Sequence, residues 1–206
     1  MKKCKNITGI VLAGGKSKRM GQNKALLEIK GEKSILRILE KLERITSNII
    51  INTNSPEEFQ FLSHDIVEDE MKDKGPLGGI YSSLVQSSSI WNFIVACDLP
   101  HFNDQIAQYL VSLIEKNNVQ CVIPVIDERI HPLYGVYNKS VLSTVKKHIE
   151  NNSLKITEVL RELTMYSVTE KELLANGFSE KEIEKAFFNM NRPEDYLSIL
   201  SSPPYE

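Results

Sequence analysis

Apolar residues along the chain follow two rhythms, one of strands and one of helices. Ile7-Thr-Gly-Ile-Val-Leu12 is a nearly continuous apolar run, the pattern of a strand buried on both faces of a parallel sheet. Behind Ser34, which can cap a helix, Ile35, Ile38, Leu39, Leu42 and Ile45 recur at helical spacing. Asn48-Ile-Ile-Ile-Asn52 reads as a second short buried strand, closed by the turn residues Asn54-Ser55-Pro56. Strand, helix, strand in this order demands a right-handed crossover and parallel pairing.

The alternation continues. Ile66-Val67 predicts a third strand ending in Glu68-Asp69-Glu70, and Gly75-Pro76-Leu77-Gly78-Gly79 opens a helix over about 80–85. The longest strand, 90–97, stops at Asp98-Leu99-Pro100, and an amphipathic helix over 104–114 leads to a strand over 119–125. Such alternation predicts an α/β fold, an open, mostly parallel, Rossmann-like sheet with helices on both faces. The rhythm then changes. His131-Pro132-Leu133-Tyr134-Gly135-Val136-Tyr137 alternates bulky residues and predicts a strand near an edge, where a proline is tolerated. Helices over 140–149 and 156–163, a short strand over 165–168 and a helix over 179–188 lead into Asn189-Met-Asn-Arg-Pro-Glu-Asp195 and a last helix over 194–200. No internal repeat or low-complexity linker interrupts the chain, so a single domain over 1–206 is expected.

At 206 residues, 41% hydrophobic and 25% charged, the chain can bury a core without metal or disulfide staples. Cys4, Cys97 and Cys121 are odd in number and widely spaced, which excludes a disulfide framework and offers no zinc-like pair. A net charge of −2 gives no general reason to bind nucleic acid. No apolar run approaches the ~20 residues that cross a bilayer, and the basic N-terminus lacks the long apolar segment of an export signal. A cytoplasmic protein without membrane contact is the expectation.

Against this balance one stretch stands out. Leu12-Ala-Gly-Gly-Lys-Ser-Lys-Arg-Met-Gly-Gln-Asn-Lys24 carries Lys16, Lys18, Arg19 and Lys24 with no acid among them. Gly14 and Gly15 let the backbone turn tightly and bring N–H groups up to phosphate oxygens, while Lys and Arg supply charge. The spacing is neither that of a Walker loop nor that of a dinucleotide fingerprint. A solvated basic turn is the plainer alternative.

Ligands of open parallel sheets bind outside the carboxyl ends of the strands. Besides the basic loop, Asp69 and Asp98 fall at such ends. A carboxylate facing a phosphate loop repels its ligand unless a hard cation lies between, and Mg²⁺ on Asp98 fits that position. Taken alone, Asp98 is also explained as an Asx turn before Leu99-Pro100, and Asp69 as part of a solvated acidic cluster with Glu68, Glu70 and Asp73.

The glycine-basic loop with Lys24, Asp69, Gly75-Pro-Leu-Gly-Gly79 and Cys97-Asp-Leu-Pro100 resembles the nucleotidyltransferases that activate phosphorylated small molecules. The string Asn189-Met-Asn-Arg-Pro-Glu is similar to that of the molybdenum cofactor guanylyltransferases. The resemblance implies transfer of GMP from GTP to the terminal phosphate of Mo-molybdopterin, with Mg²⁺ and release of pyrophosphate. It implies a nucleotide-binding part over about 1–100 and a pterin-substrate part over about 101–206. By position, Leu12, Ala13, Gly14, Gly15, Lys24, Asn52, Asp69, Gly78 and Asp98 would bind the nucleotide. Asp98 would hold the metal, and Arg19, Lys24 and Asp98 would be catalytic. His131, Asn189 and Asn191 would lie toward the pterin. Transient contacts with proteins that insert molybdenum and with molybdoenzyme chaperones are also implied.

A phosphate is already a nucleophile at neutral pH, so this transfer needs charge neutralisation and alignment rather than a general base. The sequence shows no Ser-His-Asp or paired-carboxylate arrangement. Two other readings stay open. A cytidylyltransferase or a sugar- or polyol-phosphate nucleotidyltransferase would share the front motifs and differ in turnover with GTP against CTP. A non-catalytic nucleotide-binding protein would release no pyrophosphate.

Overall fold

The computed structural model describes residues 7–14, 23–115 and 118–201. Its strands are β1 (Ile7–Leu12), β2 (Glu28–Ile29), β3 (Glu32–Lys33), β4 (Asn48–Asn52), β5 (Asp65–Val67), β6 (Trp91–Ala96), β7 (Cys121–Ile126), β8 (Arg129–Ile130), β9 (Tyr134–Asn138) and β10 (Met165–Thr169). Its helices are α1 (Ser34–Leu42), α2 (Gly75–Gln86), α3 (Asp104–Ser112), α4 (Leu142–Glu150), α5 (Ile156–Arg161), α6 (Glu170–Ala175), α7 (Glu180–Ala186) and α8 (Pro193–Ser201).

The main sheet runs β10-β7-β9-β6-β1-β4-β5, with β8 paired to β7. Neighbours β1–β4, β1–β6, β4–β5 and β7–β10 are parallel, while β9 runs antiparallel to both β6 and β7. The mostly parallel sheet expected from the sequence is therefore present, with β9 reversed inside it and the short β8 reversed against β7.

Strand alternation separates two cores. Val11, Ile49, Ile51, Phe93, Val95, Val122 and Val136 join a cluster with α1, α3, α6 and α7, while Ile10, Leu12, Ile50, Ile94, Cys121 and Ile123 join one with α2, α4 and α5. Successive side chains of a strand point to opposite faces, so near-continuous apolar runs supply both cores and helices cover both faces.

Three local expectations are corrected. The strand after His131 is not at an edge: β9 is central and buried, and Pro132 causes no conflict because pairing begins only at Tyr134. Ser34 is the first residue of α1 rather than its cap, and its Oγ is buried without a partner among the described residues. The turn Gly75-Pro76-Leu77-Gly78-Gly79 does not precede a helix but forms the first turn of α2, with Pro76 where its missing N–H costs nothing. A small cluster of Leu27, Ile29, Met190 and Ile199, backed by Phe188 and Tyr196, fastens α8 and the segment before it onto the β2–β3 hairpin.

Candidate active site

β4 and β5 lie on one side of β1, and the chain then crosses to place β6 on the other. The order of connection reverses between β1 and β6, and crevices open at the carboxyl ends of strands at such a point. Leu12 stands opposite Asn52 in β4 and Ala96 in β6. Beyond the strand ends, Ala13 N donates to Asn52 O at 2.8 Å and Cys97 N to Leu12 O at 3.1 Å. Leu12, Ala13, Gly14, Asn52 and Asp98 are thus held at one level, with Gly14 exposed. Gly15 and Arg19, with Lys16 and Lys18, lie outside the described residues.

Asp69 is fixed from the β4 side. Asn52 Nδ2 donates to Asp69 Oδ1 at 2.9 Å and to Val67 O at 3.2 Å, and Asn54 Nδ2 donates to Asp69 Oδ2 at 2.8 Å. Asp69 N returns a bond to Asn54 Oδ1 at 3.2 Å. The carboxylate is thereby a positioned acceptor rather than one member of a loose acidic surface. Gly78 lies beside it: a Cβ there would sit 3.6 Å from Asp69 Oδ2 and 3.0 Å from Met71 O. Asn54 was not among the sequence candidates, although it has the same parity as Asn52 beyond the end of β4.

Lys24 opens a short 3₁₀ turn whose cap, Asn23, accepts a bond from Ala25 N. Its ammonium lies 3.5 Å from Asp98 Oδ2 and donates to Asn191 Oδ1 at 2.8 Å. Met190 N donates to Asp98 O at 2.8 Å. Residues at positions 24, 98 and 191 are therefore brought together, and the C-terminal string stands over the cation that the sequence placed on the nucleotide side.

Asp98 carries the strongest electrostatic tension of the three. Burial raises its pKa above the ordinary carboxylate value, against the attraction and hydrogen bond of Lys24. Its Oδ1 is buried with no partner among the described residues. An ionised oxygen in that condition is costly unless a cation meets it. Among the described residues no group of three or more His, Cys, Asp and Glu could hold a metal. A metal here would have to draw most of its oxygen ligands from phosphate and water, which is the habit of Mg²⁺.

His131 and Asn189 lie to one side. The His131 ring packs 4.8 Å from the Phe187 ring, and Asn189 Nδ2 donates to Phe187 O at 3.2 Å. Burial, then the charge of Arg129, lowers the His131 pKa, favouring the neutral imidazole. The two are linked through Phe187, whereas Asn191 is turned toward Lys24.

Comparison with known proteins agrees with this architecture. A sequence model described as the MobA-like NTP transferase domain matches residues 9–166. The "Probable molybdenum cofactor guanylyltransferase" of Natranaerobius thermophilus is 33% identical over 194 residues, covering 92% of this chain and 93% of that one. The protein of the same description from Clostridium perfringens is 34% identical over 191 residues, covering 92% and 94%. Among solved structures, molybdopterin-guanine dinucleotide biosynthesis protein A from Archaeoglobus fulgidus superposes with a TM-score of 0.81 at 23% identity, covering 93% of this chain and 96% of that one. The chain belongs to the molybdenum cofactor guanylyltransferase family, within the MobA-like NTP transferases.

Proposed function

We propose that this chain transfers GMP from GTP to the terminal phosphate of Mo-molybdopterin, forming the guanine dinucleotide cofactor and pyrophosphate. An oxygen of the substrate phosphate forms a bond to the α-phosphorus of GTP, and the bond from that phosphorus to the pyrophosphate oxygen breaks. The attacking oxygen is already anionic, so no residue need remove a proton. What the chain must do is align two anions against their repulsion.

One observation carries this reading: Lys24, Asp98 and Asn191, from three distant parts of the chain, meet beside the β1–β6 crevice. Lys24 would bind the triphosphate and stabilise the charge that grows on the leaving oxygens, a role proposed for Arg19 of the basic loop as well. Leu12, Ala13, Gly14 and Gly15 would line the nucleotide, and Asn52, Asp69 and Gly78 would complete its site. His131, Asn189 and Asn191 would contact the second substrate.

Mg²⁺ fits the residues present, because Asp98 offers a buried oxygen with no partner among the described residues. Asp98 would hold the ion, which would supply charge neutralisation to the phosphates. Lys24 meets the other carboxylate oxygen, Oδ2, at 3.5 Å.

The test is incubation of the protein with Mg²⁺, GTP and molybdenum-loaded pterin, with detection of the guanine dinucleotide and pyrophosphate. Both products are expected, and CTP in place of GTP should give little. Efficient product with CTP alone, or none with either nucleotide, would sink the assignment.

A further inference from the structure

Asn191 is exposed, yet its carboxamide has a fixed partner. A lysine ammonium only donates, so the oxygen end, Oδ1, faces Lys24 at 2.8 Å, and the amide end, Nδ2, is what the side chain has left to offer an anion. Such a side chain keeps its aim only if its backbone is held. Three successive amides hold it. Met190 N donates to Asp98 O at 2.8 Å, and the Met190 side chain is buried in the cluster with Leu27, Ile29 and Ile199. Asn191 N and Arg192 N both donate to a single carboxylate oxygen, Oδ2 of Asp195, at 2.7 and 2.8 Å.

Asp195 is the third residue of α8, where an acidic side chain ordinarily accepts from the amide of the residue just before the helix. The bond from Arg192 N is of that ordinary kind. The bond from Asn191 N reaches one residue further out, where capping does not require it and where the side chain that meets Lys24 begins.

We propose that Asp195 is a positioning residue for the transfer: it fixes Asn191 so that one carboxamide presents its oxygen to the cation on the nucleotide side and its amide to the phosphate of the second substrate. The naming of those substrates rests on the reaction proposed above, whereas the fixing of Asn191 onto Lys24 does not. Contacts carry the route from end to end: Asn191 N to Asp195 Oδ2, Lys24 Nζ to Asn191 Oδ1, and Lys24 Nζ to Asp98 Oδ2 at 3.5 Å. Loss of alignment between two reacting anions is felt in the transfer step, so kcat is the quantity that responds.

The experiment compares Asp195→Ala with Asp195→Asn, which keeps a carbonyl acceptor, and with Tyr196→Phe, which removes a different tie of α8, the bond from Tyr196 Oη to Glu28 O at 2.7 Å. Asp195 is half-buried and belongs to neither main core, so each variant should fold, and melting curves measure what stability it loses. The first readout needs no reaction: amidination of lysines by methyl acetimidate, read by peptide mass spectrometry, with Lys155, 80% exposed, as internal reference. Lys24, whose side chain is 15% exposed, is expected to label at least about threefold faster in Asp195→Ala. Asn191→Ala should do the same, and the double variant should add nothing further. Asp195→Asn and Tyr196→Phe should label as the parent does. In turnover, kcat should fall about tenfold in Asp195→Ala and recover to within about threefold of the parent in Asp195→Asn, while KM for GTP holds. Parent-like labelling of Lys24 in Asp195→Ala, an equal loss of kcat in Tyr196→Phe, or additive effects with Asn191→Ala would overturn the proposal and leave Asp195 a helix cap. If the labelling behaves as expected but no protein forms the dinucleotide, the reaction assignment fails and the positioning of Asn191 on Lys24 stands.

Discussion

Gly79 packs against the carboxamide of Asn52 with no space for a side chain. A Cβ at residue 79 would lie 3.1 Å from Asn52 Cγ and 3.2 Å from Leu12 Cδ2, and closer still to Asn52 Oδ1. Asn52 cannot yield freely, because its other side donates to Val67 O and Asp69 Oδ1. Gly79→Ala should therefore push Asn52 off Asp69 and loosen an acceptor proposed to bind the nucleotide. KM for GTP is expected to rise about tenfold, the cost of roughly one charge-assisted hydrogen bond. A double-mutant cycle checks the route: if the alanine acts through Asn52, adding it to Asn52→Ala should do almost nothing further. Additive losses would show that Gly79 matters for another reason.

Asp98 sets function against stability. Its pKa is raised by burial, so the ionised carboxyl is disfavoured in the free folded protein despite Lys24. For a carboxyl raised in the fold, the favourable contribution is present below the unfolded value of about 3.9 and is lost as pH rises through the folded value. Asp98→Asn removes that charge at nearly constant shape. It should raise Tm at pH 7 by roughly 2–4 °C, equivalent to about 1 kcal/mol in a chain of this size, and the advantage should vanish in acid. Turnover should fall by at least about a hundredfold. Scanning calorimetry from pH 4 to 8 beside a dinucleotide assay checks both halves. A destabilised variant at neutral pH would mean that the pairing with Lys24 outweighs burial.

The parts of this fold that were legible in the sequence are those written by long apolar runs. β4 covers the expected five residues, and β1 and β6 hold Leu12 and Asp98 at their carboxyl ends as predicted. The β2 and β3 strands, two residues each, are too short to carry a period, and they form beneath the cluster of Met190 and Ile199 far along the chain. α6 was missed because its six residues bury only Leu173. β9 was misplaced because a nearby proline suggested an edge, although the paired residues begin two positions later. Asn191 was assigned to the pterin side by its motif, and no local signal in the sequence could reveal its hydrogen bond to Lys24, 167 residues away.

A partly exposed network at the turn between α4 and α5 has the composition of a hydrolase triad but not its wiring. His148, 8% exposed, has Nδ1 3.0 Å from Ser153 Oγ and Nε2 3.0 Å from Glu162 Oε1. Ser153 Oγ sends its hydrogen to Glu158 Oε2 at 2.5 Å, so it has no proton for His148 to take and is no activated nucleophile. The network instead latches α4 to α5, and Lys74 beside α2 reaches the same turn through Asn152 at 3.3 Å. The Ser153 hydrogen bond holds the Glu158 carboxyl below its ordinary value, and Lys147 and then His148 do the same for Glu162. Carboxyls lowered in the fold contribute stability above their unfolded pKa, about 4.3, and lose it as pH falls through the depressed value. His148→Ala should lower Tm at pH 7 by removing the imidazole's hydrogen bonds to Ser153 and Glu162. The deficit should shrink below about pH 4, where the carboxyls are protonated in both proteins. Because the latch lies away from Lys24 and Asp98, kcat and both KM values should stay within about twofold of the parent. Esterase activity that disappeared in His148→Ala would contradict this account and make Ser153 a nucleophile after all.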